Sequence, residues 1–161
     1  MKIFFDTEFT GLVQDTSLIS IGLVAEDGRK LYMELNDYDE TKINSWLQEN
    51  VINKLDNDVK FSRSEVAQKI ADFIEPYDEV VMVSDCLAYD WVLFCDLFGG
   101  AMGIPGKIHY IPIDLSTMFF GSGIDPDVNR EEFAGIAGES KHNALHDALV
   151  MQVCFEKLSK E

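Results

Sequence analysis

The segment Lys2–Phe9 constrains this chain more than any other, because an apolar strand runs directly into a pair of acids. Residues two apart in a strand project from the same face, so Asp6 and Glu8 are expected to leave the end of this strand side by side. Two carboxylates about 4 Å apart repel by roughly 4 kcal/mol at an effective dielectric constant of about 20. A divalent cation relieves such repulsion where more acids converge. The alternative is a strand that ends in a polar turn, since 29 acids among 161 residues produce Asp-x-Glu easily by chance.

Composition limits the partners that suit this chain. Its 161 residues are the length of one domain, expected to span residues 1–161, and a hydrophobic content of 47% argues against disorder. The net charge of −16 is unfavourable for gripping long duplex nucleic acid, which normally requires a basic surface. Bound divalent cations would reverse that sign locally. The charge is therefore compatible with a nuclease that holds short or single-stranded substrates at a few points.

The cysteines indicate the compartment. Cys86, Cys95 and Cys154 are an odd number of thiols in apolar surroundings without CxxC spacing, which is typical of reduced core thiols in a cytoplasmic protein. The chain begins directly with a core strand, so no signal peptide is expected. No apolar run reaches about 18 residues, and we therefore expect no membrane span.

The order of apolar patterns predicts the fold. Leu18–Ala25 reads as a second strand, and Asp-Gly within residues 26–29 predicts a hairpin to a third strand at residues 30–35. These three strands form an antiparallel meander. Farther on, strands at residues 79–84 and 109–115 alternate with helices at residues 43–55, 62–76, 89–98, 129–136 and 143–160. The sequence therefore predicts an α/β fold with a mixed five-stranded sheet and helices on both faces.

Two of these elements carry finer expectations. The strand at residues 79–84 is continuously apolar, which favours a central, parallel position. Pro112 places the strand at residues 109–115 at an edge of the sheet. In the helix at residues 43–55, one shared stripe is expected to contain Trp46, Leu47, Val51 and Leu55.

A third acid follows the predicted fourth strand. Asp90 begins a helix in which Leu93, Phe94 and Leu97 lie three, four and seven positions farther on. It therefore heads an inward face, where a charge is costly without a partner. The preceding strand delivers it to the carboxyl edge of the sheet, where open α/β sheets place their sites. The alternative is an N-terminal aspartate favoured only by the helix dipole.

A fourth acid and a histidine mark the start of the last helix. Asp147 heads a stripe that continues with Val150 and Cys154, and Asn143 is a plausible N-cap. His142 then lies in the loop just before the helix, where it can approach a water or a substrate. Because histidine titrates near neutral pH, it suits a general base. The alternative is a surface or capping histidine.

Other residues near these acids are weaker candidates. His146, next to Asp147, is the alternative base. Asp85 is either an acid beside the site or a solvated loop acid. The segment 125–129 begins like a calcium loop, but Arg130 replaces the required glycine, so a calcium site is rejected. Candidate substrate contacts, which alternatively pack in the core, are Thr7, Phe9, Leu12, Tyr89 and Trp91.

These signals, in this order and on these elements, resemble the DEDDh 3′–5′ exonucleases of the ribonuclease H-like superfamily. The motifs are matched by Asp6-Thr7-Glu8, by Asp90 within residues 88–94, and by His142 and Asp147 with the His-x4-Asp spacing. The stretches 5–9, 18–28 and 88–90 are similar to the ribonuclease AS family of 3′–5′ exoribonucleases, which prefer adenylate tails and form homodimers.

The resemblance implies a mechanism with two divalent ions, Mg²⁺ or Mn²⁺. It implies that Asp6 bridges both ions, that Glu8 and Asp147 complete the nucleophile-side ion, and that Asp90 holds the second. It also implies that His142 takes a proton from the attacking water. Nucleoside 5′-monophosphates would then leave the 3′ end of a single-stranded RNA.

Two other functions stay open at this point. The similar group includes 3′–5′ DNA exonucleases of phage and proofreading type. Proofreading enzymes usually carry an asparagine a few residues before the third acid, whereas this chain has Ser84, Asp85, Cys86 and Leu87 there. A catalytically silent nucleic-acid-binding module is the alternative of another class. Silent relatives typically lose one of the five catalytic positions, all of which this chain retains.

Overall fold

A computed structural model describes residues 1–56, 58–136 and 142–160. The strands in these ranges are β1 (Lys2–Phe9), β2 (Leu18–Ala25), β3 (Lys30–Glu34), β4 (Val81–Ser84) and β5 (Ile113–Asp114). The α-helices in these ranges are α1 (Ser45–Asn50), α2 (Arg63–Ile74), α3 (Leu87–Asp96), α4 (Leu115–Gly121), α5 (Arg130–Ala134) and α6 (Ala144–Leu158). Short 3₁₀ turns lie at Glu40–Lys42 and Ile52–Lys54.

The strands form one mixed sheet in the order β3-β2-β1-β4-β5. Strands β1, β2 and β3 pair antiparallel as the predicted meander. Strand β4 runs parallel to β1 and lies between β1 and β5, which confirms its predicted central position. Strand β5 is the edge, as Pro112 predicted. The predicted α/β fold is therefore confirmed.

Alternation along β1 separates two cores. Ile3 and Phe5 point to one face, where they pack with residues of α2 and α3 such as Phe94. Phe4 points to the other face, where its ring centroid lies 5.4 Å from that of Phe155 in α6. Helices thus cover both faces of the sheet, and β1 is buried between them.

Local signals set the starts of the helices. In α2, Ser62 and Glu65 form a capping box, in which each side chain satisfies a backbone N–H of the other. In α6, the side chain of Asn143 accepts hydrogen bonds from the N–H groups of Leu145 and His146. Asn143 is therefore the N-cap that the sequence predicted, and it sets where α6 begins.

The predicted helix at residues 43–55 is shorter and broken. It consists of α1 followed by a 3₁₀ turn, so one continuous stripe cannot form. Leu47 and Val51 are buried against Ile19 of β2, but Trp46 is 52% exposed. The predicted placement of Trp46 on one stripe with Leu47 and Val51 is wrong, because adjacent helix positions are turned by about 100° from each other.

The predicted strand at residues 109–115 is also shorter. Only Ile113 and Asp114 pair with β4, because Pro112 has no N–H to donate. The sequence missed α4, which starts immediately after this strand. The Asp114 side chain accepts a hydrogen bond from the N–H of Ser116 and so caps α4.

The cysteines are free thiols, with Cys95 and Cys154 buried and Cys86 half-buried. The placement of Cys95 and Cys154 agrees with the expectation of core thiols, whereas Cys86 lies outside the core. Among the helices given above, none has both the length and the apolar character needed to cross a bilayer.

Candidate active site

The C-terminal half of β1 carries the first two acids. Asp6 pairs with Gly22 of β2 and Glu8 pairs with Ser20, so both acids lie in a strand that is hydrogen-bonded in register. Both side chains are half-buried. They alternate with Thr7, which points to the opposite face and is only 4% exposed. The strand therefore presents two carboxyls toward the α6 side of the sheet, as the sequence predicted.

Asp90 reaches the same edge of the sheet from α3. Its side chain is fully buried and accepts hydrogen bonds from the hydroxyls of Thr7 and Ser84. Thr7 comes from β1 and Ser84 from the end of β4. Two hydroxyl donors stabilise a buried carboxylate and restrict its rotation. Asp90 is therefore held in a defined orientation by the two central strands.

Asp147 reaches the site from the first turns of α6. Its Oδ2 atom accepts a hydrogen bond of 3.1 Å from the backbone N–H of His142. The start of α6 lies directly on β2 at Gly22. A Cβ atom on Gly22 would lie 2.4 Å from the backbone of Ala144 and of Leu145, closer than any side chain allows. Gly22, which the sequence did not single out, thus permits the approach that brings Asp147 to β1.

These acids form two overlapping groups. Asp6, Glu8 and Asp147 each place a carboxylate oxygen within 4.8 Å of the others, and Asp6, Asp85 and Asp90 do the same. Carboxylate oxygens are the ligands that Mg²⁺ and Mn²⁺ prefer. The donor set therefore fits hard divalent cations, with Asp6 common to both groups.

Asp85 is closer to the other acids than the sequence suggested. It is held by Arg130, whose Nε atom donates to its Oδ2 at 3.0 Å. The same guanidinium donates to Ser116 Oγ at 2.8 Å and to the Pro126 carbonyl at 2.7 Å, and it lies over the Phe119 ring. No periodicity in the sequence relates two residues 45 positions apart, so only the structure identifies this pair.

Crowding of the acids on β1 raises their pKa values. Burial, followed by repulsion from Asp90, Asp147 and Glu8, raises the pKa of Asp6 well above its usual range. Burial also raises the pKa of Glu8 to about 8, where Asp147 and Asp90 add to the effect and the positive charge of Lys54 opposes it. Both shifts mean that a positive charge would be favourable here.

The two helix-borne acids are shifted less. Burial raises the pKa of Asp90 to about 7, although the hydrogen bonds from Ser84 and Thr7 favour its charged form. Burial raises the pKa of Asp147 to about 6, with His146 acting in the opposite direction. Near neutral pH the site can therefore exchange protons readily. This property suits a site whose carboxyls are ionised when cations bind.

The two histidines have different surroundings. His142 is half-buried and adopts a left-handed backbone conformation with φ of 67°, and its ring centroid lies 5.1 Å from that of Trp46. His146 Nε2 lies 3.0 Å from Glu131 Oε1, within hydrogen-bond distance. Glu131 therefore occupies one nitrogen of His146, while His142 lines the cavity beside the acids and donates its backbone N–H to Asp147.

Two of the candidate substrate contacts are engaged within the protein. The Thr7 hydroxyl is used by Asp90, which makes Thr7 a support for an acid. Trp91 stacks on Phe94, with ring centroids 5.4 Å apart and planes at 8°. Its other side lines a cavity together with Gln14.

The other three candidates differ in their exposure. Phe9 and Tyr89 stack on each other with centroids 5.4 Å apart, which joins the end of β1 to the start of α3. Leu12 follows in the next loop and is 70% exposed. An exposed apolar side chain just beyond the acids is available to contact a nucleotide base.

A cavity of about 490 Å³ opens beside the acids. The acids Asp6, Asp85 and Asp147 lie on one side of it with His142. The rest of its wall comes from the segment before α5, the first turn of α5, one face of α6 and Ser116 of α4. These lining residues are Pro126, Asp127, Val128, Asn129, Arg130, Glu131, Val150, Met151 and Ser116. The segment that the sequence rejected as a calcium loop is thus a wall of this cavity.

Residues 1–158 match the model of the Rv2179c-like 3′–5′ exoribonuclease domain. The chain belongs to this Rv2179c-like 3′–5′ exoribonuclease family. Among its relatives, the 3′–5′ exoribonuclease Rv2179c of Mycobacterium tuberculosis strain H37Rv is 34% identical over 128 residues, which cover 76% of each chain. The corresponding protein of strain CDC 1551 has the same identity and coverage.

Two solved structures share the fold of this Rv2179c-like chain. The zinc-bound complex of Escherichia coli ExoI with single-stranded DNA matches with a TM-score of 0.69 at 13% identity, over 99% of this chain and 40% of that one. The RNase domain of yeast Pop2 matches with the same TM-score at 16% identity, over 99% of this chain and 76% of that one. The resemblance predicted from the sequence is therefore confirmed.

Proposed function

We propose that this chain is a metal-dependent 3′–5′ exoribonuclease that releases nucleoside 5′-monophosphates from single-stranded RNA. The observation that carries the proposal is the convergence of four acids, Asp6, Glu8, Asp90 and Asp147, on one end of β1 with His142 beside them. The family membership supports the direction of cleavage and the choice of RNA.

Two divalent ions, Mg²⁺ or Mn²⁺, would be held by these acids. Asp6 belongs to both oxygen groups and would contact both ions, with Glu8 and Asp147 at one and Asp90 at the other. When bound, such ions supply the positive charge that offsets a phosphodiester and stabilises the leaving oxygen. Without bound ions the negative acids would repel the negative phosphodiester. This repulsion is the physical reason that the proposed mechanism requires the ions.

His142 would act as the general base. It accepts a proton from the attacking water, while its backbone N–H stays hydrogen-bonded to Asp147. Asp90 would orient its ion without moving, because Thr7 and Ser84 hold both of its oxygens. Phe9, Leu12, Tyr89 and Trp91 are proposed to surround the terminal nucleotides, with Leu12 the most accessible of them.

Single-stranded 3′ ends are the proposed substrate. A site at the end of a sheet, in a chain of net charge −16, suits a strand held at a few points rather than along a duplex. A preference for adenylate tails is part of the proposal and follows the resemblance. A 3′–5′ DNA exonuclease is the second candidate. The likeness of the fold to ExoI, whose complex contains single-stranded DNA, favours testing it.

The test uses 5′-labelled oligonucleotides of matched sequence as RNA and DNA, including RNA that ends in an adenylate run. We expect a ladder that shortens from the 3′ end of RNA in Mg²⁺ or Mn²⁺, fastest on the adenylate run, and no products in EDTA. Asp6→Asn and His142→Ala should abolish or strongly reduce the ladder. A full rate in EDTA or for Asp6→Asn would contradict the mechanism, and a faster rate on DNA would favour the second candidate.

A silent binding module would behave differently in a titration of Mn²⁺ by calorimetry. We expect two ions per chain for the nuclease, whereas a silent binder need not take up any. The homodimer implied by the resemblance and a reducing, cytoplasmic location remain proposals. Sedimentation of the purified chain measures the first, and the free thiols of Cys86, Cys95 and Cys154 support the second.

A further inference from the structure

Trp46 is a large aromatic side chain that the hydrophobic cores leave out. Its neighbours in α1, Leu47 and Val51, are buried against Ile19 of β2. Trp46 itself is 52% exposed, although burial of an indole ring is strongly favourable. Its position therefore calls for an explanation other than core packing.

The start of α1 determines where Trp46 points. Asn44 caps the helix by accepting a hydrogen bond of 2.9 Å from the N–H of Leu47. Asn50 donates from its side chain to the Trp46 carbonyl at 2.9 Å, which secures the same turn from its other end. With Leu47 directed into the core, the preceding side chain is turned by about 100° toward the candidate active site.

The ring of Trp46 meets the ring of His142. Their centroids lie 5.1 Å apart and their planes are at 80°, an edge-to-face arrangement that aromatic pairs favour. This contact joins two elements that lie almost 100 positions apart along the chain. One is α1, which carries Trp46, and the other is the loop before α6, which carries His142.

The backbone of His142 is also unusual. A φ of 67° is uncommon for a residue other than glycine and is retained where the surroundings enforce it. The hydrogen bond from its N–H to Asp147 holds the main chain, but it does not determine the rotation of the imidazole. The ring contact with Trp46 restricts that rotation.

We propose that Trp46 is a positioning residue, which keeps the imidazole of His142 in the orientation required of a general base. This inference rests on the proposed function, because it assigns Trp46 a role through His142. Trp46 touches neither the acids nor the reacting atoms in this role. Its loss should therefore lower kcat and leave substrate affinity nearly unchanged.

The main experiment measures kcat and KM for Trp46→Leu and Trp46→Phe on a labelled RNA. A misplaced general base loses part of its contribution of about 100-fold or more, so we expect kcat of Trp46→Leu to fall about 10-fold with KM within about two-fold. Trp46→Phe retains an aromatic ring and should keep at least about half of kcat. Phe120→Ala, which removes an aromatic that is 73% exposed on α4, is the matched control and should behave as wild type.

A double-mutant cycle separates positioning from a structural effect. In a His142→Ala background, Trp46→Leu should cause no further loss, because the residue through which it acts is gone. A further 10-fold loss in that background would overturn the proposal, as would an unchanged kcat, a change in KM alone, or equal losses for the Phe and Leu variants.

A measurement that needs neither activity nor a Trp46 variant tests the contact itself. In the wild-type protein, the ring protons of His142, assigned by their absence in His142→Ala, should show a ring-current shift from Trp46. Resonances at unshifted positions would overturn the proposal even if Trp46→Leu failed to fold. If wild-type protein lacked nuclease activity but showed this shift, the proposed function would fail while the contact stood.

Discussion

The backbone N–H of His142 donates to the Asp147 carboxylate at 3.1 Å, so the candidate base and a candidate metal ligand are joined by one hydrogen bond. A change at Asp147 therefore has two effects, one on charge and one on the loop before α6. Asp147→Asn removes the charge but retains an oxygen acceptor for the N–H, whereas Asp147→Ala removes both.

We expect both variants to lose nearly all activity because each lacks the carboxylate. Asp147→Ala should be less stable than Asp147→Asn by about 1 kcal/mol, the usual contribution of one hydrogen bond. Urea unfolding in EDTA measures the difference. Equal stability of the two variants would show that the hydrogen bond contributes nothing to the fold.

Cation binding should release protons. Burial raises the pKa of Asp90 to about 7 and that of Glu8 to about 8, so both groups are substantially protonated near pH 6. A cation must displace those protons, and its affinity should therefore rise between about pH 6 and 8 and then level off. Calorimetry of Mn²⁺ binding in buffers with different ionisation enthalpies counts the protons. If the binding heat were the same in every buffer, no protons would be released, and the predicted protonation of Asp90 and Glu8 would be wrong.

The stability of the metal-free chain should fall as pH rises, whereas the cation affinity should rise. Because the pKa of Glu8 is raised to about 8, the folded chain binds more protons than the unfolded chain from about pH 4 upward. The free energy of unfolding should therefore fall as pH rises from about 5 to 8 in EDTA. Thermal melts measure the slope, and Glu8→Gln should make it shallower. A wild-type protein that becomes more stable over this range would refute the predicted repulsion.

The orientation of Asp90 can be tested through Thr7. Thr7→Val keeps the shape of a buried side chain but removes the hydroxyl that donates to Asp90. We expect kcat to fall about 10-fold, a loss typical of a residue that orients a metal ligand. The apparent affinity for Mg²⁺ should weaken with it. Thr10→Val, which changes a buried threonine without a hydrogen bond to Asp90, is a matched comparison for folding.

Gly22→Ala should disturb the site without touching a catalytic group. The added methyl would lie 2.4 Å from the backbone of Ala144 and Leu145, so α6 must shift away from β2. Overpacking of this kind costs about 1–3 kcal/mol, and the shift should also displace Asp147. Gly106→Ala is the control, since a methyl there meets no atom within 4 Å. If Gly22→Ala kept wild-type activity and stability, the close approach of α6 to β2 would not be needed for the site.

Much of the sheet could be predicted from local pattern. Apolar alternation located β1, the Asp-Gly pair located the turn to β3, and Pro112 located the edge. These features could be predicted because each signal acts within a few residues. The length of β5 did not follow, since pairing with β4 depends on how far the two strands run together.

For the candidate site too, some residues could be predicted from local pattern and others could not. Asp90 and Asp147 could be recognised because each heads an apolar helical face, which is visible in the sequence. The link between Asp85 and Arg130 could not be recognised, because it depends on a long-range approach between α5 and the residue that follows β4. Trp46 was placed on one stripe with Leu47 for a related reason. Periodicity gives the spacing of a stripe but not the residue at which a short helix ends.

The central position of β1 has a consequence for how this family can diversify. Asp6 and Glu8 lie on a central strand that pairs with β2 on one side and, over residues 2–4, with β4 on the other, so the proposed chemistry is carried by the middle of the sheet. The segments around it, from the loop with Leu12 and helix α1 with Trp46 to the cavity wall before α5, are peripheral. Exchange of these segments between homologues should change which polymer end is accepted while the hydrolytic step is inherited intact, which makes the family suitable for grafted selectivity.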